Sequence, residues 1–157
     1  MKNNYHLYLG KAGHLAVMSE FLTRGWNVAI PEVDIGDDIF VVQDDNGTLQ
    51  RVQVKTSASK PTKNGYRAQF SLPIRQLRNI SNILVHYVFI VRHNGGWSAP
   101  IIIRQDYLLD LHENEQLGSR YKDNLNLHFS YSANVINCSK VDLTAFLSDF
   151  SDFPVVE

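Results

Sequence analysis

Residues 31–57 read PEVDIGDDIFVVQDDNGTLQRVQVKTS, and the rest of the chain is arranged around them. An acidic cluster, Asp34, Asp37 and Asp38, runs into an apolar strand over 39–42. A polar turn with Asn46 and Gly47 follows, then a second strand carrying Gln53, Val54 and Lys55. Asn-Gly between two apolar runs is a hairpin signal, because both residues tolerate the positive φ of a tight turn. Side chains alternate along a strand, so Gln53 and Lys55 share one face and Val54 takes the other. Pairing the two strands puts Asp38 beside Gln53 and Lys55. A carboxylate, an amide oxygen and an ammonium on one edge suit a divalent cation and a phosphate. Asp34 and Asp37, flanking Gly36, read as turn residues rather than ligands.

N-terminal to this stretch, residues 9–24 predict a helix stopped by Gly25. On a helical wheel Leu15, Val17, Met18, Phe21 and Leu22 share a broad face, and His14 falls within it. Glu20 falls nearly opposite, four residues before Arg24, where a surface ion pair would also put it. Residues 26–30 form a short strand stopped by Pro31. Beyond the hairpin, 58–65 is a polar, basic loop, and 66–72 reads as a third hairpin strand with Tyr66, Ala68 and Phe70 on one face. Pro73 opens a short helix to Ser81, with Arg75 and Arg78 on one side. The near-continuous apolar run over 83–91 marks a central strand covered on both faces. A turn at 93–96, a strand over 97–103, a helix over 105–115 with Tyr107, Leu108 and Leu111 inward, a mobile loop over 116–125 and a strand over 127–131 follow. Asp142 caps a last helix over 143–150. The expected architecture is α/β, a mixed central sheet flanked by helices, in one domain over 1–157.

Charge is partitioned along the chain. Residues 46–105 carry nine basic side chains (Arg51, Lys55, Lys60, Lys63, Arg67, Arg75, Arg78, Arg92, Arg104) and no acid. Residues 1–45 hold three basic and seven acidic side chains, and 106–157 three and nine. A sixty-residue block without Asp or Glu favours a polyanion-facing surface. The alternative is a solvated basic face balanced by acidic neighbours. The lone Cys138 excludes an internal disulfide and a cysteine-based zinc site. His86, His93, His112 and His128 show no metal-ligand spacing. Trp26 and Trp97 read as packing residues. No apolar run reaches membrane-spanning length, and the first residues, MKNNYHLYLG, lack a signal-peptide pattern. The cytoplasm is the expected compartment.

A helix, a strand, an Asp-led strand, a hairpin and Gln-x-Lys, then helix and strand, resemble the PD-(D/E)XK nuclease superfamily. The likeness is nearest to its Gln-x-Lys subgroup of homing-endonuclease-like and uncharacterised prokaryotic proteins. GKAGHLAVMSEFLTRGWNVAIPEVDIGDDIFVV and RVQVKTS carry it. The resemblance implies a restriction-endonuclease-like αβββαβ core with C-terminal additions. It implies metal ligation by Asp38, Gln53 and the Val54 carbonyl, with Lys55 steadying the water or the phosphate. The family's first helix usually supplies a glutamate. The acidic position after a Gly in that helix is here His14, and Glu20 is the helix's only acid. Residue type favours Glu20, and the wheel favours His14, held as second choice. Gln53 in place of an acid removes one negative charge from the cage, so Mn²⁺ is expected to serve better than Mg²⁺.

The resemblance thus implies a metal-dependent DNA endonuclease using Mg²⁺ or Mn²⁺, acting on double-stranded DNA, with a homodimer to cut both strands. Lys60, Lys63, Arg67, Arg75 and Arg78 would track the phosphate backbone, with Ser57 and Lys60 close to the motif; an ordinary polar loop would explain those two as well. Two other readings stay open. One is a nuclease-fold DNA-binding module with weak or no catalysis. The other is an α/β protein unrelated to nucleic acid, its charge patterning serving an oligomer interface.

Overall fold

The computed structural model describes residues 4–33 and 38–156, so Asp34 and Asp37 lie outside the described residues. The first helix, α1 (Tyr5–Thr23), begins earlier than the sequence pattern suggests. It stops where expected. Gly25 sits at φ +82°, and the Gly25 and Trp26 amides donate to the Leu22 and Phe21 carbonyls at 3.0 and 3.1 Å. This pair of bonds is a Schellman stop, which needs a residue free to enter the left-handed region.

The inner row of α1 is Leu9, Gly13, Val17 and Phe21. That differs from the face read off the wheel, because Leu15 and Leu22 are 55% and 53% exposed. The cause is Gly13. A Cβ at this position would lie 2.1 Å from Thr56 Oγ1. The helix comes close to the sheet where it has no side chain, and the row through Gly13 becomes the inner face.

Strands β1 (Asn27–Ala29), β2 (Ile39–Gln43) and β3 (Thr48–Ala58) follow as an antiparallel meander. Gln43 pairs with Thr48, so the hairpin loop is the four residues 44–47. The Gly47 amide closes it onto the Gln43 carbonyl at 2.9 Å. Next come β4 (Lys60–Thr62), β5 (Gly65–Pro73), α2 (Ile74–Arg78), β6 (Val85–His93), β7 (Gly96–Trp97), β8 (Ile101–Arg104) and α3 (Gln105–Glu115). The chain ends with β9 (Ser119–Tyr121), β10 (Asn124–Ser132), β11 (Val135–Cys138), β12 (Val141–Asp142) and a 3₁₀ turn, Thr144–Phe146.

Among the described residues the strands make two six-stranded sheets. The first runs β1-β2-β3-β6-β7, with β8 also on β6; β3 and β6 are parallel and the other pairs antiparallel. The sequence α1-β1-β2-β3-α2-β6 is the expected αβββαβ core of a mixed α/β fold. The second sheet runs β12-β11-β10-β5-β4, with β9 on β10. The strand expected over 66–72 therefore forms, but not as a third hairpin strand. The far edge of β3 is taken by β6, and β5 pairs instead with β4 and β10.

Residues 85–91 of β6 are all buried, and they divide by parity. Val88 and Ile90 pack with Val17, Phe21, Val52 and Val54 beneath α1. Tyr87, Phe89 and Val91 pack with Phe70, Leu127 and Phe129 of the second sheet. The central sheet is thus covered by α1 on one face and, on the other, by a second sheet with α2 and α3. The C-terminal segment seals the α1 layer: Phe153 lies against Phe21 and Trp26, and the Trp26 indole donates to the Pro154 carbonyl at 2.7 Å.

Several expected elements are modified by tertiary contacts. The strand over 97–103 breaks at 98–100, where Pro100 offers no amide. Tyr107 of α3 is 46% exposed, while Leu108 and Leu111 face inward. The segment 116–125 holds β9 and the fully buried Leu117. The helix over 143–150 shrinks to one 3₁₀ turn, because the Leu143 amide donates to the Ile136 carbonyl and Thr144 Oγ1 accepts from the Ile136 amide. The N-cap of that turn is Leu143, not Asp142; Asp142 ends β12 and accepts from the Thr144 amide at 2.8 Å. Hydrogen bonds from Thr144 hold its carboxyl below the usual carboxylate range. No helix among the described residues is long and apolar enough to cross a membrane.

The rotation of α1 has a measurable consequence. Val17→Ala, in the inner row, should lose about 2 kcal/mol of unfolding free energy. Leu15→Ala should stay within about 0.5 kcal/mol of the parent. Urea unfolding of the two variants decides it, and equal losses would restore the wheel's face.

Candidate active site

The site lies at the start of β2, beside β3. Among the described residues the last β2–β3 backbone bond at this end runs from the Asp38 amide to the Val52 carbonyl, at 2.9 Å. Beyond it the Asp38 side chain takes over. Its Oδ2 accepts from the Val54 amide at 2.7 Å and from Gln53 Nε2 at 2.5 Å. Within a strand the N–H and C=O of one residue point to the same side, so the Val54 carbonyl is directed toward the edge where Asp38 sits.

Two layers meet at this carboxylate. Val52 and Val54 point to α1, so Gln53 and Lys55 point to the opposite face, as the alternation predicted. From the α1 side His14 brings its Nε2 to 3.1 Å from Asp38 Oδ2. The Asp38 side chain is only 10% exposed and His14 21%. Gln53 is buried, and its Oε1 finds no hydrogen-bond partner among the described residues. Lys55 is half-buried, two residues beyond Gln53 on the same face.

The α1 side chain that reaches Asp38 is His14, whereas Glu20 does not reach it. Glu20 is exposed and lies in a depression shared with Ile90, Trp97 and Pro100. Six residues of helix turn it well away from His14's direction. Nor does Arg24 serve as its partner, since the Arg24 guanidinium sits 3.6 Å above the Phe150 ring centroid. Gly13 carried the signal for this outcome, because a side-chain-free position marks where a helix can approach a sheet closely, and the next residue then lies beside the contact.

These donors bear on the metal that the resemblance implies. Among the described residues no three His, Cys, Asp or Glu side chains converge. One carboxylate, a buried amide oxygen without a partner and a backbone carbonyl are still a hard, oxygen-rich set. Mg²⁺ is commonly held by one or two carboxylates with substrate phosphates completing its shell. The residues present fit a cation that binds together with its substrate.

The basic residues fall into separate places. Ser57, Lys60 and Arg67 line a groove of about 470 Å³ with Tyr5, His6, Gln69 and His128. Ser57 Oγ accepts from the Gln69 amide at 3.3 Å, tying β3 to β5 there. Lys63 lies at the β4–β5 turn, exposed. Arg75 and Arg78 border a second groove with Arg120 and Asp123, and Arg78 pairs with Glu113 at 3.3 Å. The charge run marked the basic residues but not Gln69 or His128. Burial pushes the Cys138 thiol up, which keeps it protonated and unreactive.

No family model and no curated protein matches the sequence. Among solved structures the fold is similar to that of a bacterial homing endonuclease, I-Ssp6803I, with a TM-score of 0.57 and 17% identity over 91% of this chain and 86% of that one. A looser likeness, with a TM-score of 0.44 and 11% identity, is to Hjc, a Holliday junction resolvase from the archaeal hyperthermophile Archaeoglobus fulgidus; it covers 74% of this chain and 81% of that one. At 17% identity the first likeness shows the fold alone, a mixed α/β fold.

The contact at Gly13 is testable. Gly→Ala inside a helix ordinarily gains about 0.5–1 kcal/mol. Here the overlap with Thr56 outweighs that gain, and Gly13→Ala should lose about 1–3 kcal/mol. Adding Thr56→Ala should recover most of the loss in thermal melts. Wild-type stability in Gly13→Ala would mean that the helix is not in close contact at this point.

Proposed function

We propose that the protein is a metal-dependent endonuclease hydrolysing phosphodiester bonds in DNA. The observation that carries this reading is the meeting of Asp38 and Gln53, with the Gln53 Oε1 acceptor buried and, among the described residues, unpartnered. A buried acceptor without a donor costs about 1–3 kcal/mol, and a cation bound with its substrate removes that cost.

In this reading Asp38, Gln53 Oε1 and the Val54 carbonyl hold Mg²⁺ or Mn²⁺. The cation, when bound, supplies positive charge against the phosphate and acidifies the attacking water. The Val54 amide and His14 hold the Asp38 carboxylate in place. Lys55, on the Gln53 face, stabilises negative charge on the phosphate oxygens as they approach the transition state. One site cuts one strand, so a double-strand break calls for two copies of the chain. The imidazole beside the carboxylate favours Mn²⁺ over Mg²⁺, which takes oxygen ligands more strictly.

The single described carboxylate also favours a second reading, a nuclease-fold module that binds DNA and cuts it poorly or not at all. Plasmid cleavage separates the two. Asp38→Ala and Lys55→Ala should each lower the rate about 100-fold or more. Glu20→Ala should leave it within about two-fold. Rates should be higher in Mn²⁺ than in Mg²⁺, and EDTA should stop the reaction. Cleavage unchanged in both the Asp38 and Lys55 variants would defeat the assignment, and binding without cleavage in either metal would establish the second reading.

A further inference from the structure

The second sheet turns a polar face outward. Along β5, Ala68, Phe70 and Leu72 are buried while Arg67, Gln69 and Ser71 are exposed. Along β10, Leu125, Leu127 and Phe129 are buried while His128 and Ser130 are exposed and Asn126 half-exposed. The two strands pair over nine residues, setting Arg67 beside Ser130, Gln69 beside His128 and Ser71 beside Asn126. The outward side chains of this pair include no acid and no large apolar group. Burial accounts for the inner row; nothing in the packing calls for amides and an imidazole on the outer one.

Cations bracket this face. At one end Lys60 lies directly opposite Arg67 across the β4–β5 pair. Like charges placed opposite one another repel, and an anion between them relieves the repulsion. At the other end Arg75 borders the second groove, together with Asp123. Arg67 and the end of β5 at Pro73 are six residues apart, about 20 Å of strand. A B-DNA major groove is about 12 Å wide, with a phosphate backbone along each side. The spacing sets cations for both backbones and neutral hydrogen-bonding groups for the base edges between them. The first groove also contains Ser57, on the same face of β3 as Gln53 and Lys55. Four residues of strand separate Gln53 from Ser57, about 13 Å.

We infer that the outer face of the β5–β10 pair is a sequence-reading surface for duplex DNA. Gln69, His128, Ser71 and Asn126 address base edges in the major groove, while Lys60 with Arg67 at one end and Arg75 at the other hold the flanking backbones. Amide side chains pair with adenine, and hydroxyl and imidazole groups pair with either purine. A single strand would call for exposed aromatic rings as stacking platforms. The aromatic residues of these two strands lie on the other side: Phe70 and Phe129 are buried, and Tyr66 is stacked between His93 and Tyr131, while the exposed rings of Tyr5 and Tyr121 stand only at the margins, in the first groove and on β9. The inference rests on the nuclease reading only in taking DNA as the partner.

The test is selection from a pool of randomised duplexes with the full chain, in Ca²⁺ instead of Mg²⁺ or Mn²⁺, followed by fluorescence anisotropy. A defined motif should emerge. In Gln69→Ala/His128→Ala the preference at adjacent base pairs should fall about 5- to 100-fold, with nonspecific affinity retained. Lys60→Ala/Arg67→Ala should weaken binding to all duplexes alike and reduce the slope of log K against log salt by about 2. Thermal melts should match the parent, since these positions are exposed. Duplex binding without a motif, a motif unchanged in the Gln69/His128 variant, or single strands bound in preference to duplex would each overturn the inference. Cleavage that depends on Asp38 and Lys55 without base preference would sink this inference alone. Selective binding with cleavage indifferent to Asp38 and Lys55 would sink the nuclease site alone.

Discussion

The Asp38 carboxylate continues the β2–β3 ladder with a side chain. A buried strand amide left without an acceptor is a costly arrangement in a protein interior. Asp38 Oδ2 instead accepts from the Val54 amide and the Gln53 side chain, so a side chain completes what the backbone ladder leaves open. A carboxylate this buried needs such donors. The same bonds that end the hairpin also set the position of the group most suited to holding a cation.

Around this point the two layers constrain one another. Gly13 lets α1 sit close on Thr56, which brings His14 to the carboxylate from one face. Gln53 reaches it from the other face, leaving its own oxygen without a partner. The apolar clusters on both sides of β6 supply the stability that tolerates this local cost. Arrangements in which a local rule is broken inside a well-packed frame are characteristic of sites that act on a ligand.

The second sheet changes what the charge pattern means. A basic block without acid reads along the chain as one surface, but folding splits it. Lys60 and Arg67 join the groove beside the end of β3, whereas Arg75 and Arg78 reach a different groove and Arg78 is answered by Glu113. Between the two grooves runs the β5–β10 pair, whose inner row closes the core and whose outer row is free of that duty. One strand pair thus separates a buried apolar row from an exposed polar row by side-chain parity alone.

The sequence by itself determined the local features: the Gly25 helix stop, the hairpin around Asn46 and Gly47, the doubly buried run of β6 and the common face of Gln53 and Lys55. Each follows from backbone preference or side-chain alternation within a few residues, and those forces act before the chain is compact. Only the tertiary structure decided which row of α1 faces inward, that His14 and not Glu20 meets Asp38, that β5 leaves the first sheet, and that the segment after Asp142 is a 3₁₀ turn. Helix rotation depends on where the partner strand comes close, here at Gly13, and periodicity cannot weigh one apolar row against another. Strand partners and the shortened last helix depend on hydrogen bonds between residues far apart in sequence, such as Thr144 with Ile136 and β5 with β10. Those bonds exist only once the layers have packed.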